Sequence, residues 1–306
     1  KKHYARTSGM ISMADSGVGI FAPIMAGLLL PIIGITGIIA IDLLTLAIAL
    51  LFLLYVIIPE PKQKAREKSS GGFIKELVYG FKYVLDRPSL LSLQMVFFFG
   101  NLFSMVGFTL YRPMILASTG GDSAILGSVQ SAGAIGGLVG GLVLTAWGGP
   151  KKKVRGVLLG FFFEGFLGLS MMGLGRSLPI WLISSFLGMI FIPMLNGSNQ
   201  AIWQMKVAPE VQGRVFSVRR LIAQITAPLS MAVAGPLADK IFEPGMTSPG
   251  HWLGNFFGKF FGNDPGAGMS VLIFFSGILV MCVGIAAYTL RLVREVETLV
   301  PDHSEN

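Results

Sequence analysis

Charge is what this sequence has least of: 13% of its 306 residues are Asp, Glu, Lys or Arg, about half the share of a soluble globular domain. Cysteine is nearly absent too. The single thiol, Cys282, excludes an internal disulfide and a cysteine-built metal cluster. The three histidines, His3, His251 and His303, lie far apart and outside the apolar runs, so no zinc-ligand spacing exists. Phosphate-binding P-loops and Gly-x-Ser-x-Gly nucleophile elbows are missing as well. Enzymatic chemistry and ATP-driven work by this chain are therefore not expected, and neither is a cofactor or a metal. The apolar runs do not alternate with polar residues, which excludes the ten-residue strand pattern of a membrane β-barrel.

Long apolar runs are what the sequence has instead. Hydrophobic residues make up 53% of the chain. The run from Ile35 to Ile58 carries one charge, Asp42, and exceeds the roughly 20 residues a helix needs to cross the hydrocarbon core. Eight such runs predict membrane-spanning helices at about 8–30, 35–58, 90–111, 123–147, 155–174, 178–203, 214–240 and 268–290. The 40 glycines fit this reading, because glycine is more frequent in membrane helices than in soluble ones. The fold class expected is an all-α membrane protein.

The cations set its orientation. Twenty of the 24 Lys and Arg residues gather on the termini and alternate connections, while Arg112, Arg176, Lys240 and Lys259 fall on the other side. The positive-inside rule places the crowded side, with both termini, in the cytoplasm. The net charge of +8 then follows from topology, and no nucleic-acid partner is needed to explain it. The chain starts at Lys1 rather than Met, which is read as the start of a fragment. One connection, 59–89, is long. Its first half is polar and basic, and its second half repeats Phe73, Leu77, Gly80, Phe81 and Val84 at helical spacing, as an amphipathic helix at the membrane surface would. In the loop from Ile241 to Gly268, Trp252, Phe256, Phe257, Phe260 and Phe261 are expected to anchor in the interface.

Two segments start alike. Ala5-Arg6 and Gly213-Arg214 each reach Ala-Gly 21 residues beyond the Arg, and each carries Ala-Pro in mid-span. Two copies entering from the same side point to parallel repeats. The segments Ala22-Pro23-Ile24-Met25-Ala26-Gly27, Trp147-Gly148-Gly149-Pro150-Lys151-Lys152-Lys153 and Pro209-Glu210-Val211-Gln212-Gly213-Arg214-Val215-Phe216-Ser217 resemble the major facilitator superfamily, and within it the macrolide-efflux type of drug/proton antiporter. The first is similar to the fifth-helix motif of exporters, with Ala22 and Ala26 where the motif has glycine. The second resembles the basic cytoplasmic loop but lacks its Asp, having Thr145 and Ala146 near that point.

The resemblance implies a major facilitator fold in which the eight spans are family helices five to twelve and the first four are absent. Residues 1–58 would be the last two helices of the N-terminal bundle. Residues 59–89 would be the cytoplasmic linker, and 90–306 the C-terminal six-helix bundle with its tail. The missing N-terminal helices of the same protein would complete it, in a bacterial inner membrane. The function implied is proton-coupled export of small amphipathic organic molecules, such as a drug, a macrolide-like metabolite or a siderophore, by alternating access. The alternatives are an importer or lipid transporter of the same fold, and a non-transporting scaffold or inactive fragment.

Candidate site residues follow from cost. Polar groups inside a membrane are expensive and face a protein interior or a watery cavity. Gln94, Phe98, Asn101 and Met105 share one face of the third span, and Asn196, Asn199, Gln200 and Trp203 lie close to one face of the sixth. The resemblance makes these two spans walls of the substrate cavity. The alternative is plain hydrogen bonding between helices. Gly133, Gly137 and Gly141 recur at four-residue spacing, with Gly136 and Gly140 beside them, and such stripes let helices approach closely. The resemblance implies that their partners are Gly19, Ala22, Pro23, Ala26 and Gly27, across the interface between the halves; the alternative is ordinary helix packing. Asp42 and Asp239 lie near span ends. Glu164, near the middle of the fifth span, is the proton-carrier candidate; the resemblance makes its helix peripheral, and the alternative is a buried acid hydrogen-bonded to a neighbour. Asp15 could pair with Lys151, Lys153 or Arg155 to close an inner gate.

Overall fold

The structure is a computed structural model, and it describes residues 33, 36–52, 54 and 73–302. The predicted span 8–30, with Asp15, Ala22, Pro23 and Gly27, lies outside the described residues, as does the polar half of the long connection. The described chain is helical, with no strand among the described residues. In chain order its helices are α1 (Thr36–Phe52), α2 (Phe73–Leu85), α3 (Pro88–Ser118), α4 (Ser123–Trp147), α5 (Lys153–Leu174), α6 (Leu178–Lys206), α7 (Pro209–Thr247), α8 (Trp252–Phe261), α9 (Ala267–Thr289), α10 (Arg291–Arg294) and α11 (Val296–Leu299). Among the described residues, α3, α4, α5, α6, α7 and α9 are long and apolar enough to cross a membrane.

Six of the predicted spans thus stand, with longer ends in two cases. The third was expected to stop at residue 111, before Arg112 and Pro113. The helix instead runs on to Ser118, because an internal proline removes one backbone hydrogen bond without forcing a stop. The seventh was expected over 214–240. It starts at Pro209, where a proline fits the first helical turn. It passes Pro236 by widening into a π-helical turn over Ala238–Phe242 and ends at Thr247.

The helices pack in the order α4–α6–α5–α9–α3–α7, with α4 and α7 at the two ends. Small residues allow the close crossings. Gly168 of α5 and Gly188 of α6 meet so closely that a methyl group on either would lie 2.8 Å from the other's Cα. Serines tie neighbours without a charge: the Ser185 hydroxyl donates to the Val129 carbonyl at 2.8 Å, and that of Ser230 to the Leu102 carbonyl at 2.8 Å. Phe97 and Phe161 pack edge to face between α3 and α5, 5.1 Å apart. The outward faces are also apolar, with Phe166, Ile183, Leu279 and Ile285 exposed. A water-soluble bundle would aggregate through such a surface, whereas lipid tails solvate it.

The two ends of the bundle are closed differently. At the end bearing the start of α5, the Glu297 carboxylate accepts from the backbone N–H groups of Lys153 at 3.0 Å and Val154 at 3.3 Å. This anchors α10 and α11 beneath the bundle, with Val293 and Val296 fully buried. Beside them, hydrogen bonds from Arg291 and Arg294 hold the Glu295 carboxyl below the ordinary carboxylate range. At the opposite end the Glu243 carboxylate accepts from Gly266, Gly268 and Met269 at the start of α9. There α8 buries Leu253 and Phe261 and exposes Trp252, Phe256 and Phe260, four residues apart on one face. Aromatics so placed suit a membrane–water interface.

Helix α2 is amphipathic, as expected, but it docks on protein. Gly80 sits against the Arg214 carbonyl and Val218 of α7, and Val84 is buried. Arg214 pairs with Glu76 at 3.6 Å and lies over the Tyr79 ring at 5.4 Å. Burial pushes the Tyr83 phenol above its ordinary pKa, and Arg87, stacked 3.6 Å over its ring, opposes that shift. Val78, Phe81 and Leu85 remain exposed on the other side of the helix.

Candidate functional site

Helix α3 is the central rod, packed on α9 and α7. Its polar residues are distributed unevenly. Gln94 is buried at 3% exposure, while Phe98, Asn101 and Met105 are partly exposed. Phe98 opens onto a groove of about 420 Å³ shared with Phe99 and with Leu221, Ile222 and Ile225 of α7.

Helix α6 breaks once. Its first segment ends at Ile190 and a second begins at Ile192, with Pro193 in the first turn of the second segment. The amides follow that break, on the half nearer the basic end. Asn196 is exposed, Asn199 is buried with no partner for Oδ1, and Gln200 is partly buried. Trp203 is fully buried, and its indole N–H has no partner either.

Arg219 of α7 covers that tryptophan. Its guanidinium lies 4.3 Å from the Trp203 ring centroid and 5.1 Å from that of Phe216. One Nη donates to Gln200 Oε1 at 3.4 Å, and the buried Nε has no partner. Among the described residues no carboxylate pairs with it. The structure therefore brings Gln200 and Trp203 together with a residue that the sequence alone groups with the loop cations. The available signal was phase: Arg219 falls one turn beyond Phe216 and one turn before Ile222 on a helix that starts earlier than the apolar run does.

Glu164 opens a π-helical turn, Glu164–Ser170, within α5. It is 4% exposed, and Ser104 of α3 faces its carboxyl. No cation pairs with it among the described residues. Wide turns of this kind are frequent at functional positions in membrane and soluble helices. Asp42 and Asp239 are both exposed. Arg155 is exposed and lines a separate cleft of about 280 Å³ with Lys152, Tyr288 and Arg294.

The α4 glycines divide into two sets. Added methyl groups on Gly136 and Gly140 would strike the Phe186 and Ile190 carbonyls of α6, and one on Gly133 would lie 2.7 Å from Ser185 Oγ. Gly137 and Gly141 have open space where a side chain would stand. One edge of the stripe is used inside the bundle and the other is free. No cluster of three metal-ligating side chains occurs among the described residues.

Comparison with known proteins agrees with this architecture. Macrolide efflux protein A of Streptococcus pyogenes is 25% identical over 286 residues, covering 91% of this chain and 62% of that protein. Macrolide efflux protein A of Enterococcus faecalis is 28% identical over 220 residues, covering 69% of this chain and 66% of that protein. This chain thus spans less than two thirds of the length of either relative. No solved structure matches it significantly. The family model described as Major Facilitator Superfamily matches residues 1–231, so this helical membrane chain belongs to that superfamily of transporters.

Proposed function

We propose that the chain forms most of a secondary exporter of small amphipathic organic molecules. It works by alternating access in a bacterial inner membrane, with both ends of the chain in the cytoplasm. The observation that carries this reading is that α3 and α6 each set amides beside aromatics inside an apolar span, Gln94 and Asn101 with Phe98 on the first and Asn196, Asn199 and Gln200 with Trp203 on the second. A mixture of that kind suits a large apolar solute with a few polar groups. The open edge of α4 at Gly137 and Gly141 supports a second role, as the surface on which a partner bundle rocks. The partner bundle is the first half of the same transporter, of which 1–58 supplies the last two helices.

A proton gradient drives the cycle. Glu164 is the carrier within this bundle, since it is buried, uncharged neighbours surround it, and a π turn lets its backbone adjust. The relatives' names make a macrolide the first substrate to try. In inverted membrane vesicles containing the complete transporter, an inward-acid gradient should drive erythromycin into the lumen, and collapse of the gradient should release it. Glu164→Gln should lower gradient-driven uptake about tenfold or more while leaving exchange without a gradient intact. Uptake that ignores the gradient would remove the coupling, and movement in the opposite direction would make the protein an importer.

A further inference from the structure

Among the described residues Arg219 is a cation held between aromatic rings with no carboxylate beside it. We propose that Arg219, with Gln200 and the neighbouring groove, is a binding site for amphipathic molecules that carry a carboxylate. The proposal rests on the exporter reading above and names one class of solute for it.

Three observations meet here. The first is the guanidinium itself, which has aromatic faces at 4.3 and 5.1 Å, a single amide oxygen at 3.4 Å, and an unpartnered Nε. Aromatic faces hold a cation in place but leave its N–H fork unused. Arginine presents that fork in a plane that fits a carboxylate with two parallel hydrogen bonds. The second is access. Arg219 is partly exposed rather than sealed; its Nε is enclosed, so a solute reaches the guanidinium from its Nη end. The third is the apolar groove of about 420 Å³ under Phe98, Phe99, Leu221, Ile222 and Ile225. Ile222 lies one helical turn beyond Arg219, which puts the two within about 6 Å along the same helix. A carboxylate at the guanidinium therefore leaves the apolar body of the same molecule beside the groove. A permanent cation with the same body would be repelled.

The test compares two probes that differ in charge alone, 11-(dansylamino)undecanoate and its primary carboxamide. The purified chain in lipid nanodiscs is titrated with each at pH 7.5, against empty nanodiscs, with dansyl fluorescence as the readout. The unsubstituted protein should bind the carboxylate about tenfold more tightly than the amide. Arg219→Gln should equalise the two. Arg219→Lys should keep a preference of about threefold, because it retains the charge but not the fork. Ile222→Trp, which fills the groove, should weaken both probes and leave their ratio unchanged. Equal affinities in the unsubstituted protein, or a preference that survives Arg219→Gln, would overturn the proposal. Its failure is separable from failure of the exporter reading. Erythromycin flux without the preference removes the carboxylate site alone, and the preference without flux of either erythromycin or the dansyl carboxylate removes export alone.

Discussion

Lys206 and Arg219 are two cations taken out of water within the same end of the bundle, and they are treated in opposite ways. Lys206, at the end of α6, is 6% exposed. Its ammonium donates to the carbonyls of Glu297 and Val300 and pairs with the Asp302 carboxylate at 2.7 Å. Two hydrogen bonds to carbonyls at the end of α11 and one ion pair thus surround the ammonium. Arg219 has five N–H donors and one amide acceptor, over two aromatic rings. A buried charge is tolerated when it is paired and hydrogen-bonded. Lys206 meets that condition, and Arg219 does not among the described residues. The first fastens the tail, and the second is the cation on which the proposed carboxylate site rests.

Removing Lys206 should have the largest effect on stability. Lys206→Met keeps the length of the side chain and deletes the ammonium. It leaves two part-buried carbonyls without their donor and a partly exposed carboxylate without its counter-ion, at up to about 1–3 kcal/mol for each group left unsatisfied. A net loss of about 3 kcal/mol is expected, seen as a lower thermal transition by circular dichroism in detergent. Faster proteolysis of the tail after Thr289 should accompany it. An unchanged transition would mean that the tail does not brace the bundle, and the contrast with Arg219 would fall.

Glu297→Ala should cost less. It removes the carboxylate that caps the first turn of α5, where the N–H groups of Lys153 and Val154 now donate. Loss of an N-terminal cap with its favourable charge costs about 1–2 kcal/mol. The carbonyl of Glu297 that accepts from Lys206 is untouched by this change. The double variant with Lys206→Met should therefore be less destabilised than the sum of the two, because both release the same segment. Strict additivity would show that the carboxylate and the ammonium hold the tail independently.

The sequence made most of the bundle legible and little of this contrast. Apolar runs locate α3 to α7 and α9 because membrane helices must satisfy their backbone internally, so length and hydropathy suffice. They misplace the ends of α3 and α7, where Pro113 and Pro236 sit inside helices that the surrounding protein keeps intact. The amides of α6 are visible as polar residues in an apolar run, but which are buried depends on neighbours. Trp203 and Asn199 are covered, while Asn196 is exposed. Counting cations by connection groups Lys206 and Arg219 together. Their difference depends on contacts that no periodicity encodes: Lys206 meets Glu297, 91 positions away, and Arg219 meets Gln200 across the turn into α7. The division of the α4 glycines is likewise a matter of which side α6 lies on.

The smallest effect on stability should come from Arg219→Gln, and its smallness is what makes the comparison useful. The substitution gives up the stacking of a guanidinium on Trp203, about 1 kcal/mol at a partly buried position. It also removes a charge that lacks a counter-ion in the described protein, and relief of that desolvation offsets the loss. The thermal transition should therefore stay within about 0.5 kcal/mol of the parent, against the roughly sixfold larger loss at Lys206. A fall comparable to that of Lys206→Met would identify Arg219 as a second internal fastening, paired with a carboxylate elsewhere in the chain. A cation that the fold can lose at so little cost is not kept for the fold, and that outcome, read with the probe titration, would tie Arg219 to the proposed carboxylate site.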